Sequence, residues 1–286
     1  MLNLTKTQKI CIQYGFLLLL ICMTVYLVST TLDITLIPMI MKLVNKKFIF
    51  IGFLIMVLYI ILECTIINIL IKTIQKTKVR FLAVKIAMMG FYYNLVTPFA
   101  SGSQPMQIYA LNKYDINLSK SIAIVTNKTV LFQTVVTIYS AVIIFLNIEV
   151  LKNELPSMLV LMSIGMVMNI VSLLGGMLIV LTPNTMKIIV KVIVNILYRL
   201  NIFKSLNKKI HTINKFIDEY SYSIKLFIKN KKALCLIIIL TIIQLTVFFS
   251  ISYCVYKAFN LNGLSLFEVL SLQVFLYMSV SPIPTP

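Results

Sequence analysis

The sequence predicts an all-α integral membrane protein, a polytopic helical bundle with re-entrant, Pro-broken helices and a basic interfacial amphipathic helix. Three observations carry that prediction. Of 286 residues, 60% are hydrophobic and only 12% charged, against about 45–50% apolar and about 25% charged in soluble domains. The apolar residues fall in uncharged runs long enough to cross a hydrocarbon core about 30 Å thick. The 26 Lys+Arg far outnumber the 8 Asp+Glu, for a formal charge of +18, and they flank the apolar runs. Placed there, they act as topology signals and contacts for anionic lipid. They do not form a folded basic face, so direct nucleic-acid binding is not expected.

The elements follow in order as a single membrane domain over residues 1–286. Residues 10–30 form the first span, behind Lys6 and Lys9; the run is long for a signal peptide and no small-x-small cleavage site follows. Residues 48–71 form the second. Residues 81–100 are apolar but interrupted by Lys85, Asn94 and Pro98. Spans at 122–148, 158–181 and 233–259 come next, then a last at 264–280. The chain ends in Ser281-Pro282-Ile283-Pro284-Thr285-Pro286.

Charge decides how 81–100 is threaded. If it spans fully, with the basic 183–232 stretch inside, then Lys72, Lys76, Lys78, Arg80 and Lys85 all fall outside. That violates the positive-inside tendency. If it dips in and returns, the outer loops keep only Lys42, Lys46, Lys47, Lys152 and Lys257, and the N-terminus is cytoplasmic. We therefore expect a re-entrant segment, which requires its broken backbone to be shielded by protein or to line a wet cavity.

Residues 185–230 read as amphipathic helix. Ile188, Ile189, Val192, Ile193, Ile196, Leu197 and Leu200 form one stripe, and Lys187, Lys191, Asn195 and Arg199 the opposing one. Ile210, Ile213, Phe216, Ile217 and Ile224 continue the pattern. We expect helices in the cytoplasmic interface with basic faces toward anionic headgroups; a solvated hairpin covering the bundle is the alternative.

Two stretches stand out chemically. In the first, Tyr93 to Gln107, Pro98 breaks the helix and Gly102 permits a close-approach turn. Ser103 or Gln104 then precedes a new helix with Pro105 at its first position. The free N–H groups of that helix start suit a phosphate. Asn94, Thr97, Ser103, Gln104 and Gln107 bring hydrogen-bonding groups that are costly near a membrane without partners. The second stretch, Tyr277-Met278-Ser279-Val280-Ser281-Pro282, shares Tyr-x-x-Val-(Ser/Thr)-Pro with Tyr93 to Pro98. Paired Pro-interrupted segments in corresponding halves point to a transporter's substrate site. The chain stops inside this second copy, so a longer frame is expected.

Two ionisable residues fall inside spans. Glu63 is near the middle of the second and Lys128 is a turn or two into the fourth. An intramembrane carboxylate is a functional candidate by default. Glu63 has three open roles: neutralising a cationic headgroup, relaying a proton, or pairing with Lys128. Lys128 has the alternative of snorkelling.

Other chemistries are excluded. Cys11, Cys22, Cys64, Cys235 and Cys254 form no CxxC pair and read as small buried hydrophobes. One histidine, His211, leaves no basis for a His-built metal cage or catalytic relay. Phosphate-loop and dinucleotide motifs are absent, as are carboxylates paired at catalytic spacing. We expect no catalytic residues, metal or cofactor.

Residues 94–109, Asn-Leu-Val-Thr-Pro-Phe-Ala-Ser-Gly-Ser-Gln-Pro-Met-Gln-Ile-Tyr, resemble the signature of the lysylphosphatidylglycerol synthase transmembrane region. This is the flippase half of the multiple peptide resistance factor, also found as stand-alone proteins. Gly102-Ser103 stands where Gly-Gly is common, and Gln104 where Glu is often seen. The ending Ser281 to Pro286 is similar to the start of the family's second signature, which normally runs on to a glutamate.

The resemblance implies translocation of an aminoacylated or related phospholipid across the cytoplasmic membrane, and resistance to cationic antimicrobial peptides. Together with the polar groups read above, this leads us to expect a lipid-headgroup site at Asn94, Thr97, Pro98, Gly102, Ser103, Gln104, Gln107, Glu63, Lys128, Ser281 and Pro282. An anionic or aminoacylated phospholipid is the expected partner. A cytosolic aminoacyl-transferase, as domain or protein, and a second copy of the chain are further candidates. Two alternatives stay open: the membrane part of a phosphatidylglycerol lysyltransferase, and a handler of polyprenyl-linked lipid.

Overall fold

The computed structural model describes residues 22, 37–75, 77, 79–97, 101–149, 151, 156–182, 192 and 207–281. Most of the predicted span at 10–30, Pro98, Pro282 and most of 185–206 lie outside the described residues.

The described chain is helical: α1 (Ile37–Leu43), α2 (Lys46–Ile74), α3 (Leu82–Val96), α4 (Ser103–Lys113), α5 (Leu118–Leu146), α6 (Pro156–Leu181), α7 (Asn207–Lys229), α8 (Lys231–Ala258) and α9 (Leu266–Val280). Over Lys46–Ile74, Leu118–Leu146, Met158–Leu178 and Lys231–Ala258 they are long and apolar enough to cross a membrane. Their outward faces carry large apolar side chains such as Phe53, Phe145 and Val171, as expected where the surrounding solvent is hydrocarbon.

The axis of the bundle is an antiparallel pair, α2 against α8. The N–H of Asn45 donates to the carbonyl of Ala258 at 2.8 Å, so the start of one helix lies at the end of the other. Both helices open on the same sequence, Asn-Lys-Lys, at 45–47 and 230–232. Each asparagine caps its helix: Asn45 accepts from the N–H of Lys47, and Asn230 from that of Ala233. An N-cap of this kind satisfies one of the four unpaired first-turn donors.

Helices α3 and α9 repeat the correspondence. Each has 15 residues, about 22 Å at 1.5 Å per residue, short of the roughly 30 Å of a hydrocarbon core. One shift along the chain carries Leu82 onto Leu266, Val96 onto Val280 and Thr97 onto Ser281. Units α2–α3 and α8–α9 are therefore matched in layout, and their long helices run in opposite directions, the arrangement of an inverted repeat. Helix α9 covers the run expected as a span at 264–280 and is, with α3, one of two shorter apolar helices among the described residues. Helix α9 is a short element like α3, opened by a Ser265/Glu268 capping box.

The predicted re-entrant segment is a helical hairpin. Helix α3 ends at Val96, and α4 returns along it until Tyr114 lies under the ammonium of Lys85, 5.0 Å from the ring centroid. The Gln75 amide at the end of α2 donates to the Asp115 carbonyl at 3.4 Å. The chain thus leaves and rejoins the same end of α2. At that end Phe81 takes a left-handed backbone (φ 54°), an uncommon state for a bulky residue, where the chain bends into α3.

Helix α7, the described part of the amphipathic stretch, sets its apolar stripe on protein. Tyr220, Ile224 and Phe227 are buried in a core shared with α2, α3 and α5, and Ile217 is buried as well. Lys215, Lys225 and Lys229 are exposed. Ser119 of α5 fastens it by donating to the Glu219 carboxylate at 2.6 Å.

Candidate headgroup site

Glu63 sits on the inner face of α2, 8% exposed. Its two carboxylate oxygens are held by two other helices. The Lys128 ammonium of α5 pairs with Oε1, and the Gln244 amide of α8 donates to Oε2 at 3.0 Å. Of the three roles open to Glu63, the pair with Lys128 is formed in this structure; the lysine points inward instead of snorkelling. Charges removed from water need this kind of multiple pairing, because the desolvation cost is several kcal/mol per ion, of that rough order.

The hairpin supplies the facing wall. Gly90 on α3 lets α4 approach closely: a Cβ there would overlap the Gln107 amide and lie 3.1 Å from the Ser103 hydroxyl. Gln107 fills that space, 2% exposed, and donates to the Ile86 carbonyl at 3.3 Å.

At the tip, the Thr97 hydroxyl donates to the Tyr93 carbonyl at 2.5 Å and accepts from the Gly102 N–H at 2.9 Å. One hydroxyl therefore joins the end of α3 to the start of α4. Gly102 is required by closeness, not by dihedral. A Cβ on it would come 2.5 Å from the Thr97 methyl, while its φ is −79°. Helix α4 begins at Ser103, with no side chain capping it. Pro105 is therefore its third residue and not its first, a position equally tolerant of a missing donor. The leading N–H groups of Ser103 and Gln104 carry the positive end of the helix.

These parts meet. A recess of about 270 Å³ is lined by Glu63, Lys128, Asn94, Ser103, Gln104 and Gln107, six of the residues expected from sequence. Thr97 and Gly102 shape the turn behind it. Ser281 is placed elsewhere. It accepts from the Asn169 amide of α6 at 2.8 Å, and Asn169 accepts in turn from Gln133 of α5 at 2.5 Å. Pro98 and Pro282 lie outside the described residues.

Sequence reasoning missed Tyr59, Gly90, Phe132 and Gln244. Tyr59 lines the recess one turn before Glu63 and packs its ring against Phe91 at 5.8 Å and Phe248 at 5.5 Å. Gln244 had a usable signal, a lone amide in the middle of the 233–259 run, where it needs a partner. Tyr59 and Gly90 had none, because both residue types are ordinary in membrane helices.

The recess offers a carboxylate, an ammonium, amides and an uncapped helix start within one low-dielectric space. Among the described residues no group of three or more His, Cys, Asp or Glu is placed to hold a metal ion. Comparison with curated proteins and with solved structures gives no match. The family model for the lysylphosphatidylglycerol synthase TM region does match, over residues 12–286. With a polytopic helical fold and nearly the whole chain covered, this protein belongs to the lysylphosphatidylglycerol synthase TM region family, and its membrane-lipid context follows from that membership.

Proposed function

We propose that the chain translocates a phospholipid with an aminoacylated or related headgroup across the cytoplasmic membrane. One observation supports this reading above others: the buried Glu63–Lys128 pair and the start of α4 share one recess. Such a headgroup carries a phosphate and an ammonium. Each could replace one member of the protein's own pair, the ammonium against Glu63 and the phosphate against Lys128 and the N–H groups of Ser103 and Gln104. Exchange of this kind lowers the cost of bringing a charged headgroup into the bilayer, because no charge is left alone. Resistance to cationic peptides would follow from a less anionic outer leaflet. A cytosolic aminoacyl-transferase would supply the lipid.

The test is outer-leaflet exposure of aminoacylated phosphatidylglycerol, read with an amine reagent that does not cross the membrane. Glu63→Gln and Gly102→Leu are expected to lower exposure about tenfold, the factor corresponding to 1.4 kcal/mol. Unchanged exposure in both, at matched protein levels, would overturn the proposal. Lysyl transfer by the purified chain from lysyl-tRNA to phosphatidylglycerol would instead favour an enzyme.

A further inference from the structure

A second recess, on the outside of the bundle, has the polarity gradient of a phospholipid. It encloses about 470 Å³ between α2 and the start of α3. Its α2 wall runs from Ile60 to Lys72, about 18 Å of helix, which is on the scale of an acyl chain. Along α2 the lining passes from Ile60, Ile61 and Cys64, through Thr65 and Asn68, to Lys72. Thr77 joins Lys72 as a polar group beside the end of α2, and Leu82 and Val84 add apolar wall from the start of α3. Lys72 also borders a neighbouring recess with Thr73, Asn230 and Lys232. Two exposed lysines at the same end of the antiparallel pair, Lys72 near the end of α2 and Lys232 at the start of α8, therefore share one rim. The ion pair found among the described residues is Glu63–Lys128, so neither rim lysine has a carboxylate partner there.

We propose that this groove binds one anionic phospholipid, its phosphate between Lys72 and Lys232 and one acyl chain along Ile61 and Val84. The argument is charge complementarity joined to shape: unpaired cations at one end, an apolar trough at the other. A neutral zwitterionic lipid would bring its own ammonium against the two lysines and so fits less well. The groove is a separate site from the Glu63 recess, and its occupancy does not depend on transport.

The chain has no tryptophan, so one introduced indole reports locally. Val84→Trp is placed in the full chain in vesicles of phosphatidylcholine with a minor fraction of brominated phosphatidylglycerol. A parallel sample carries brominated phosphatidylcholine at the same fraction. Bromine quenches indole only in contact. We expect occupancy by the anionic lipid to be about fivefold higher, for one effective lysine contact. That preference should vanish in Lys72→Gln/Lys232→Gln and survive in Lys72→Arg/Lys232→Arg. Val171→Trp, on the outer face of α6, should show none. Equal quenching by the two lipids at Val84→Trp would overturn the proposal. So would a preference that persists without the lysines, or one equally strong at Val171→Trp.

Discussion

The α2–α3 unit and the α8–α9 unit share helix lengths, capping asparagines and the motif that ends their short helices, yet only the first carries the polar site. Glu63 corresponds to Val247 or Phe248, Gly90 to Val274 and Asn94 to Met278. Val274 and Met278 are fully buried, so the second copy packs where the first opens a recess. The amide in the middle of its long helix, Gln244, serves the first copy by bonding Glu63. A repeated scaffold can thus hold a single asymmetric centre, near the middle of the α2–α8 pair.

The comparison breaks first at Glu63. Glu63→Leu leaves Lys128 buried without its partner and is expected to cost about 3 kcal/mol or more. Glu63→Leu/Lys128→Leu should recover much of that loss, whereas Val247→Leu should cost less than about 1.5 kcal/mol. Thermal unfolding in one detergent would check all three. Next, Gly90→Val gives the first copy the residue of the second. The added atoms meet Gln107, so a loss of about 1–3 kcal/mol is expected, with thiol cross-linking between α3 and α4 weakened.

Smaller effects sharpen the picture. Gln244→Leu removes one donor from a held carboxylate and should cost about 1–2 kcal/mol, again by thermal unfolding. Thr97→Val breaks the bridge to Gly102, for about 1 kcal/mol, and Thr97→Ser should retain it. Protease sensitivity between α3 and α4 reads that difference.

The sequence shows where its isolated polar groups lie better than whom they meet. Span boundaries were legible because apolar runs stop at Lys and Asn: 48–71 became Lys46–Ile74, and 233–259 became Lys231–Ala258. The break between α3 and α4 was legible from Pro98 and Gly102, and a return to one side is what the charge count leads us to expect. The depth of α9 was not legible, because Glu268 is the one charge from Leu264 to Val280 and a lone acidic residue gives little topological bias. Within the site, Glu63 and Lys128 stood out as charges in apolar runs. The packing that sets Gly90 against Gln107, and Tyr59 against Phe91, is long-range and leaves no periodic mark. Helix α7 showed its stripe but not its partner, since the same stripe suits lipid or protein.

Whether residues 82–113 return to the side they left can be measured directly. In a chain whose five native cysteines are replaced, Arg80→Cys, Asp115→Cys and Lys46→Cys are each treated with a membrane-impermeant thiol reagent from one side at a time. A hairpin predicts that positions 80 and 115 react from the same side and position 46 from the other. Reaction of positions 80 and 115 from opposite sides would contradict it.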